Sequence, residues 1–143
     1  MSNTEQITVS GSGTCLCKAV SFSANSISQK VGVCHFNMCR TWSGGPYIGI
    51  DCGSDVQFNG EVARYKSSEW AERGFCCACG THLFYRFIES GTMIMPAGVF
   101  NEGLDLVMDH QIFIDEKPHY YDFANQTQNM TGAEVMKMFA SSN

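Results

Sequence analysis

The chain has 143 residues, of which 44% are apolar and 16% charged, and its formal net charge is −5. This composition is typical of one folded domain, and the acidic balance excludes the basic surface with which proteins bind nucleic acids or anionic membranes. No apolar run approaches the ~20 residues that span a bilayer, and the first ten residues lack the basic and apolar regions of a secretory signal. We therefore expect a single cytoplasmic domain over residues 1–143, without nucleic-acid or membrane partners.

Most of the predicted elements are short β-strands. In residues 18–23, alternation places Val20 and Phe22 on one face of a strand. Similar apolar or alternating runs, separated by glycines, predict six further strands. These cover residues 29–33, 46–50, 56–58, 81–88, 92–95 and 111–114.

Two helices complete the prediction. A short helix is expected over residues 37–42, and a C-terminal helix over about residues 131–140. Thr131 and Glu134 have the spacing of a capping box, in which each side chain bonds the other residue's backbone amide. Val135, Met138 and Phe139 then recur at helical spacing and are expected to face a core. The sequence thus predicts a mainly β fold with minor helix.

Eight cysteines are many for an intracellular chain of this size. Disulfide frameworks belong to oxidising compartments, and the absence of a secretory signal argues against one. Cys15 and Cys17 are separated by one residue, and Cys76 and Cys77 are adjacent, so neither close pair can form an internal disulfide without strain. Metal binding therefore explains the pattern better.

Cys15, Cys17, Cys76 and Cys79 are the predicted ligands of one structural zinc ion. Zinc prefers four tetrahedral ligands, and a C-x-C pair with a C-x-x-C pair supplies four thiolates. Gly80 follows directly and tolerates the positive φ that such a turn often needs. The alternative interpretation is that these cysteines are inert apolar core residues.

Four motifs, in consistent order, resemble the glutathione-dependent formaldehyde-activating enzyme family, which also includes centromere protein V. The resemblance covers about residues 11–120 and implies the Mss4-like fold, with several coiled antiparallel sheets around a structural zinc held by the same C-x-C and C-x-x-C pairs. The motifs are Gly13-Thr-Cys-Leu-Cys17, Ala19-Val-Ser-Phe22, Cys34-His-Phe-Asn-Met-Cys-Arg40 and Phe75-Cys-Cys-Ala-Cys-Gly80.

The resemblance also implies a second, catalytic zinc on a C-H-C-x-x-C motif, with an open position for the thiol of glutathione. Cys34 and Cys39 match two of its three thiolates, but Phe36 occupies the middle ligand position, and a phenyl ring cannot bind zinc. The third ligand would have to come from another cysteine or histidine. The candidates are Cys52, Cys77, His35 and His82.

Three functions remain open at this stage. The first is a zinc-dependent carbon–sulfur lyase that acts on an adduct of glutathione, or a similar thiol, with an aldehyde. Arg40, which follows the last motif cysteine, would then hold a ligand carboxylate or else form a structural ion pair. The second is a non-catalytic zinc-stabilised binding module, and the third is redox sensing through Cys34 and Cys39. The sequence leaves the oligomeric state, the substrate and the direction of the reaction open.

Overall fold

The computed structural model describes residues 8–141, with side chains through residue 138, and this part of the chain is mainly β-structure. It contains eleven strands and two α-helices. The strands are β1 (Thr8–Thr14), β2 (Ser21–Ser28), β3 (Lys30–Cys34), β4 (Tyr47–Asp51), β5 (Val56–Asn59), β6 (Val62–Lys66), β7 (Ala71–Cys76), β8 (His82–Phe87), β9 (Met93–Pro96), β10 (Val107–Ile112) and β11 (Gln128–Met130), and the helices are α1 (Asn37–Ser43) and α2 (Gly132–Ser141).

The chain divides into two compact units, and the first contains the described residues up to 29 together with residues 50–105. Strands β1, β2 and β5 form a three-stranded antiparallel sheet in this unit. Strands β6 to β9 pair in sequence order, each antiparallel to the next. Phe22 on β2 lies opposite Phe58 on β5 and packs edge-on against Phe100, so aromatic side chains fill the space beside the first sheet.

Close approach of a strand and an aromatic ring explains one glycine of this unit. Gly74 on β7 lies opposite Phe84 on β8, and a Cβ atom at Gly74 would come within 2.2 Å of the Phe84 ring. Phe84 is 2% exposed. The ring therefore packs directly against the glycine, and any larger residue at position 74 would displace it.

The second unit contains residues 30–49 and the described residues from 106 onward. Strand β10 lies between β3 and β11 and runs parallel to both, which adds a parallel ladder to the antiparallel pairs of the first unit. Parallel pairing requires a long connection, and here β3 and β10 are far apart in sequence. Two residues separate the end of β3 from the start of α1, so the Cys34–Arg40 motif runs from the last residue of the strand into the helix.

Both predicted helices are confirmed. Thr131 Oγ1 accepts a hydrogen bond from the Glu134 amide at 3.2 Å, and Glu134 accepts one from the Thr131 amide at 2.7 Å. Val135 is buried, but Met138 is 49% exposed, so the prediction that Met138 faces a core was wrong. The side chain of Phe139 lies outside the described residues.

The strand predictions were correct in position for most elements, with shifted ends. The predicted strand over residues 18–23 begins only at Ser21, because the preceding residues form a turn. The last predicted strand extends over Val107–Ile112 and ends before Phe113, whose φ of 55° is left-handed. Strands β1, β6, β7 and β11 were missed. Among residues 8–141, no helix is long and apolar enough to cross a lipid bilayer.

Candidate metal centre

Two tight turns in the first unit present the four predicted zinc ligands. Cys15 follows β1, and its turn is closed by bonds from the Lys18 amide to the Cys15 carbonyl and from the Cys15 amide to the Val20 carbonyl. Cys76 ends β7, and the Gly80 amide bonds its carbonyl at 2.8 Å. Gly80 has φ 80°, the left-handed conformation expected from the sequence. Both turns therefore direct cysteine side chains to one side of their loop.

The four sulfur atoms converge. The Sγ atoms of Cys15, Cys17, Cys76 and Cys79 all lie within 4.8 Å of one another. The Cys15 and Cys17 sulfurs are 3.6 Å apart, and those of Cys17 and Cys76 are 3.8 Å apart. A tetrahedral site with Zn–S bonds of about 2.3 Å places its sulfurs about 3.8 Å from one another. None of the eight cysteines forms a disulfide, so the sulfurs of this cluster are not bonded to one another and can hold a metal ion.

Backbone amides donate hydrogen bonds to the buried sulfurs of the cluster. Val20 donates to Cys15 Sγ at 3.3 Å, while Ala78 and Cys79 donate to Cys76 Sγ at 3.4 Å each. Donors of this kind stabilise thiolate over thiol. Although burial acts to raise the pKa of Cys15, the bonds from the Val20 amide and with the thiols of Cys17 and Cys76 lower it, which favours the thiolate that binds metals.

Thr81 supports the cluster from the next position along the chain. Its hydroxyl oxygen accepts a hydrogen bond from the Leu16 amide at 3.0 Å and lies 3.1 Å from Cys79 Sγ. When Cys79 is ionised its sulfur can only accept, so the Thr81 hydroxyl then donates its proton to the sulfur. This bond, together with backbone donors, lowers the pKa of Cys79 to about 5. Thr81 therefore ties the two cysteine turns together.

The pKa of Cys17, unlike that of Cys79, is raised, because other thiols lie close to it. The backbone amide of Ala19 lowers the pKa of Cys17, but the neighbouring thiol of Cys15 and burial raise it more, to about 12. Four thiolates cannot all be charged at this distance without a cation. The donor set is therefore suited to a metal ion, and its four ligands leave no open position for a substrate.

The second predicted metal site lies in the other unit and lacks a third ligand. Cys34 ends β3, Cys39 is buried in α1, and between them the ring of Phe36 packs against Phe113 with centroids 4.6 Å apart. Within the described residues, the cluster around Cys15 is the single group of three or more His, Cys, Asp or Glu side chains with converging ligand atoms. Cys34 and Cys39 therefore do not belong to such a group.

The candidate third ligands have other environments. The buried Cys52 thiol donates to the Ile50 carbonyl at 3.4 Å, and Cys77 is exposed and bonds Glu61. His82 lies on β8, where burial, followed by the charge of Arg73, lowers its pKa.

His35 is fully buried and uses both ring nitrogens in hydrogen bonds. Nε2 lies 2.8 Å from Gln111 Oε1, and Nδ1 lies 2.8 Å from the Tyr121 hydroxyl. Burial lowers the pKa of His35, so the ring is neutral. The suggestion that His35 supplies a third metal ligand was therefore wrong, because neither nitrogen has a lone pair free for a metal.

Arg40 and Lys117 place positive charge beside His35. Arg40 Nε donates to the His35 carbonyl at 2.9 Å, which fixes the guanidinium next to the motif. The Lys117 ammonium donates to the carbonyls of Pro118 and Tyr121 and pairs with Asp122 at 2.7 Å. The Lys117 ammonium therefore already has partners within its own loop. Of the two cations, the Arg40 guanidinium is better suited chemically to bind an anionic ligand.

Sequence analysis did not identify three residues that matter at these sites. Thr81 supports the cysteine cluster, and Gln111 and Tyr121 hold His35. Thr81 follows the C-x-x-C-G motif directly, so its proximity was a signal. Gln111 and Tyr121 carry no motif, and only the fold brings them to His35.

Comparisons with known proteins agree with this architecture. The sequence model described as "glutathione-dependent formaldehyde-activating enzyme" matches residues 10–116. A protein of Schizosaccharomyces pombe, named as an uncharacterized lyase, is 38% identical over 128 residues, which cover 87% of this chain and 93% of that protein. A crystal structure of a Rhodobacter sphaeroides protein is similar in fold, with a TM-score of 0.54 and 20% identity over 64% of this chain and 88% of that one. The chain therefore belongs to the glutathione-dependent formaldehyde-activating enzyme family.

Proposed function

We propose that the protein is a carbon–sulfur lyase that acts on an adduct of glutathione, or a similar thiol, with an aldehyde. The observation that carries the proposal is the family match over residues 10–116, which includes both cysteine pairs and the whole Cys34–Arg40 motif. The name of the Schizosaccharomyces pombe relative, a lyase, supports the same class. In such an adduct the carbon–sulfur bond breaks, the hydroxyl loses its proton, the carbonyl forms and the thiol leaves.

Zinc is the metal that we propose for the cluster of Cys15, Cys17, Cys76 and Cys79. The sulfur spacing and the four-thiolate donor set support this choice, since closed sites of this kind are typical of structural zinc. The ion would link segments about sixty residues apart and so stabilise the first unit. It would supply no chemistry to the substrate.

The ligand region that we propose lies at the Cys34–Arg40 motif. Arg40 would pair with a carboxylate of the thiol ligand through its terminal nitrogens, a geometry for which guanidinium is suited. Cys34, which is half-buried, would line the place of the reacting sulfur. Because Phe36 leaves only two thiolates in this motif, the residues do not fit a three-thiolate metal site, and no reaction step is assigned to a second metal here.

A second candidate is a binding module that has lost the chemistry. The packing of Phe36 on Phe113 favours it, since this contact occupies the position of a ligand that the family mechanism needs. In that case the protein would bind a thiol ligand without accelerating its breakdown.

Adduct exchange distinguishes the two candidates, and zinc stoichiometry tests whether Phe36 excludes a second metal. We expect one zinc per chain in the reduced protein and a second in Phe36→Cys. The matched control Phe123→Cys adds a thiol elsewhere near His35 and should still hold one. Exchange of formaldehyde with glutathione, measured by NMR exchange spectroscopy, should be accelerated by the unaltered protein. Acceleration only in Phe36→Cys would favour the binding module, and its absence in both proteins would refute the lyase.

A further inference from the structure

The hydrogen bonds around His35 form a chain with a single direction. Gln111 Nε2 donates to Thr127 Oγ1 at 2.9 Å, which leaves Gln111 Oε1 to face His35. Thr127 in turn donates to Asn129 Oδ1 at 2.7 Å. An amide oxygen can only accept, so the proton of His35 is on Nε2. Nδ1 is then an acceptor, and the Tyr121 hydroxyl must donate to it.

The direction of this hydrogen-bond chain limits the further hydrogen bonds that the Tyr121 hydroxyl can form. A phenol has one proton, and Tyr121 uses it on His35 at 2.8 Å. The lone pairs on the oxygen remain as acceptors. Tyr121 is half-buried, so part of the side chain reaches the surface. Burial raises the pKa of Tyr121, which keeps the group a neutral phenol. Any ligand group that bonds this oxygen must therefore be a donor.

The hydroxyl belongs to the proposed ligand region and is firmly positioned. Tyr121 bonds the His35 ring at 2.8 Å, and Arg40 bonds the carbonyl of the same histidine at 2.9 Å. The Tyr121 ring stacks on His35 with an interplanar angle of 27°, and the Lys117 ammonium lies 5.2 Å from its centroid. Lys117 also donates to the Tyr121 carbonyl, so both the backbone and the ring are held.

We propose that Tyr121 selects the hydroxyl-bearing adduct by accepting a hydrogen bond from the adduct's hydroxyl group. This inference rests on the proposed function and names a substrate-contacting residue beyond residue 116, where the family match ends. A free aldehyde carbonyl has no proton to donate, and a plain thioether has no hydroxyl, so neither forms this bond. Tyr121 makes no covalent bond with the substrate. It orients the carbon–oxygen bond relative to the carbon–sulfur bond that breaks.

The test compares binding of two stable thioethers by calorimetry. S-(2-hydroxyethyl)glutathione carries a hydroxyl near its sulfur, S-ethylglutathione does not, and neither can split into thiol and aldehyde. We expect the unaltered protein to bind the hydroxyl compound about 2- to 12-fold more tightly, the range of one net hydrogen bond. Tyr121→Phe should lose this preference. The control Tyr120→Phe alters a neighbouring ring that is 69% exposed and should keep it.

Each outcome bears on a defined claim. Equal binding of both thioethers to the unaltered protein, or an unchanged preference in Tyr121→Phe, would overturn the role of Tyr121 while leaving the lyase proposal standing. Binding of neither thioether would refute the proposed substrate class and this inference with it. The ¹⁵N shifts of the His35 ring provide a structural readout, because Tyr121→Phe should change the Nδ1 resonance and Tyr120→Phe should not. No change at Nδ1 in Tyr121→Phe would contradict the hydrogen-bond chain.

Discussion

Replacement of Thr81 by valine should weaken metal binding although Thr81 is not itself a ligand. Valine has the same shape but loses the bond from the Leu16 amide and the bond to Cys79 Sγ. Leu16 is 85% exposed, so water replaces the first partner and that loss is small. The bond to the Cys79 sulfur contributes more, because it stabilises the thiolate form that binds the metal. Because Cys79 is exposed, we expect zinc affinity to fall by roughly 10-fold, the lower end of the range for residues that support metal ligands.

Competition with a chromophoric chelator at fixed pH measures this effect. Thr81→Ser retains the hydroxyl and is the matched control, so its affinity should stay close to that of the unaltered protein. If Thr81→Val binds zinc as tightly as Thr81→Ser, the hydroxyl does not support the cluster and the reasoning fails. Circular dichroism of the zinc-loaded proteins checks that both variants are folded.

Three further predictions concern stability. Gly74→Ala should cost about 1–3 kcal/mol in urea unfolding, because its methyl group overlaps the Phe84 ring; adding Phe84→Leu should recover part of the loss, and full tolerance of Gly74→Ala would contradict the packing. Thr131→Ala should destabilise the protein by about 1 kcal/mol through loss of the capping box, whereas an equal loss in Thr131→Ser would point to another cause. Burial, reinforced by Asp51, raises the pKa of Cys52 from 9.0 to about 12, so folding stability should fall above pH 9, where the unfolded thiol ionises and the folded one does not. At pH 10 the free energy of unfolding should be lower by about 1.4 kcal/mol for this reason. Urea titrations at pH 8 and 10 should show this decrease in the unaltered protein and not in Cys52→Ala. An identical pH dependence in both proteins would exclude Cys52 as the source.

Local features of the fold were predictable from sequence because each depends on residues that are close along the chain. The capping box of α2 needs only Thr131 and Glu134, and the turn at Gly80 follows from the C-x-x-C-G spacing. Strand β1 was missed because its glycines and serines have low β-propensity, and pairing with β2 outweighs that preference.

Contacts between distant residues were not predictable in the same way. The sequence shows that Phe36 cannot bind a metal, but it does not show that Phe113 would pack against it. His35 was considered as a ligand, and only the positions of Gln111 and Tyr121 show that its nitrogens are occupied. These residues come together because β3 and β10 are neighbouring strands. Hydrophobic periodicity in a single sequence predicts strands but does not show which strands pair.

The parallel ladder of β3 with β10 has a consequence for how the chain folds during synthesis. Lys30 on β3 pairs with Val107 on β10, so β3 cannot complete this ladder until residue 107 has been synthesised. Until then its backbone groups lack these partners, and the nascent chain is open to mispairing and aggregation. The four cysteines of the cluster, by contrast, are all present once residue 79 has emerged. We therefore expect the cysteine cluster to assemble first on the ribosome and the ligand region around His35 to mature last.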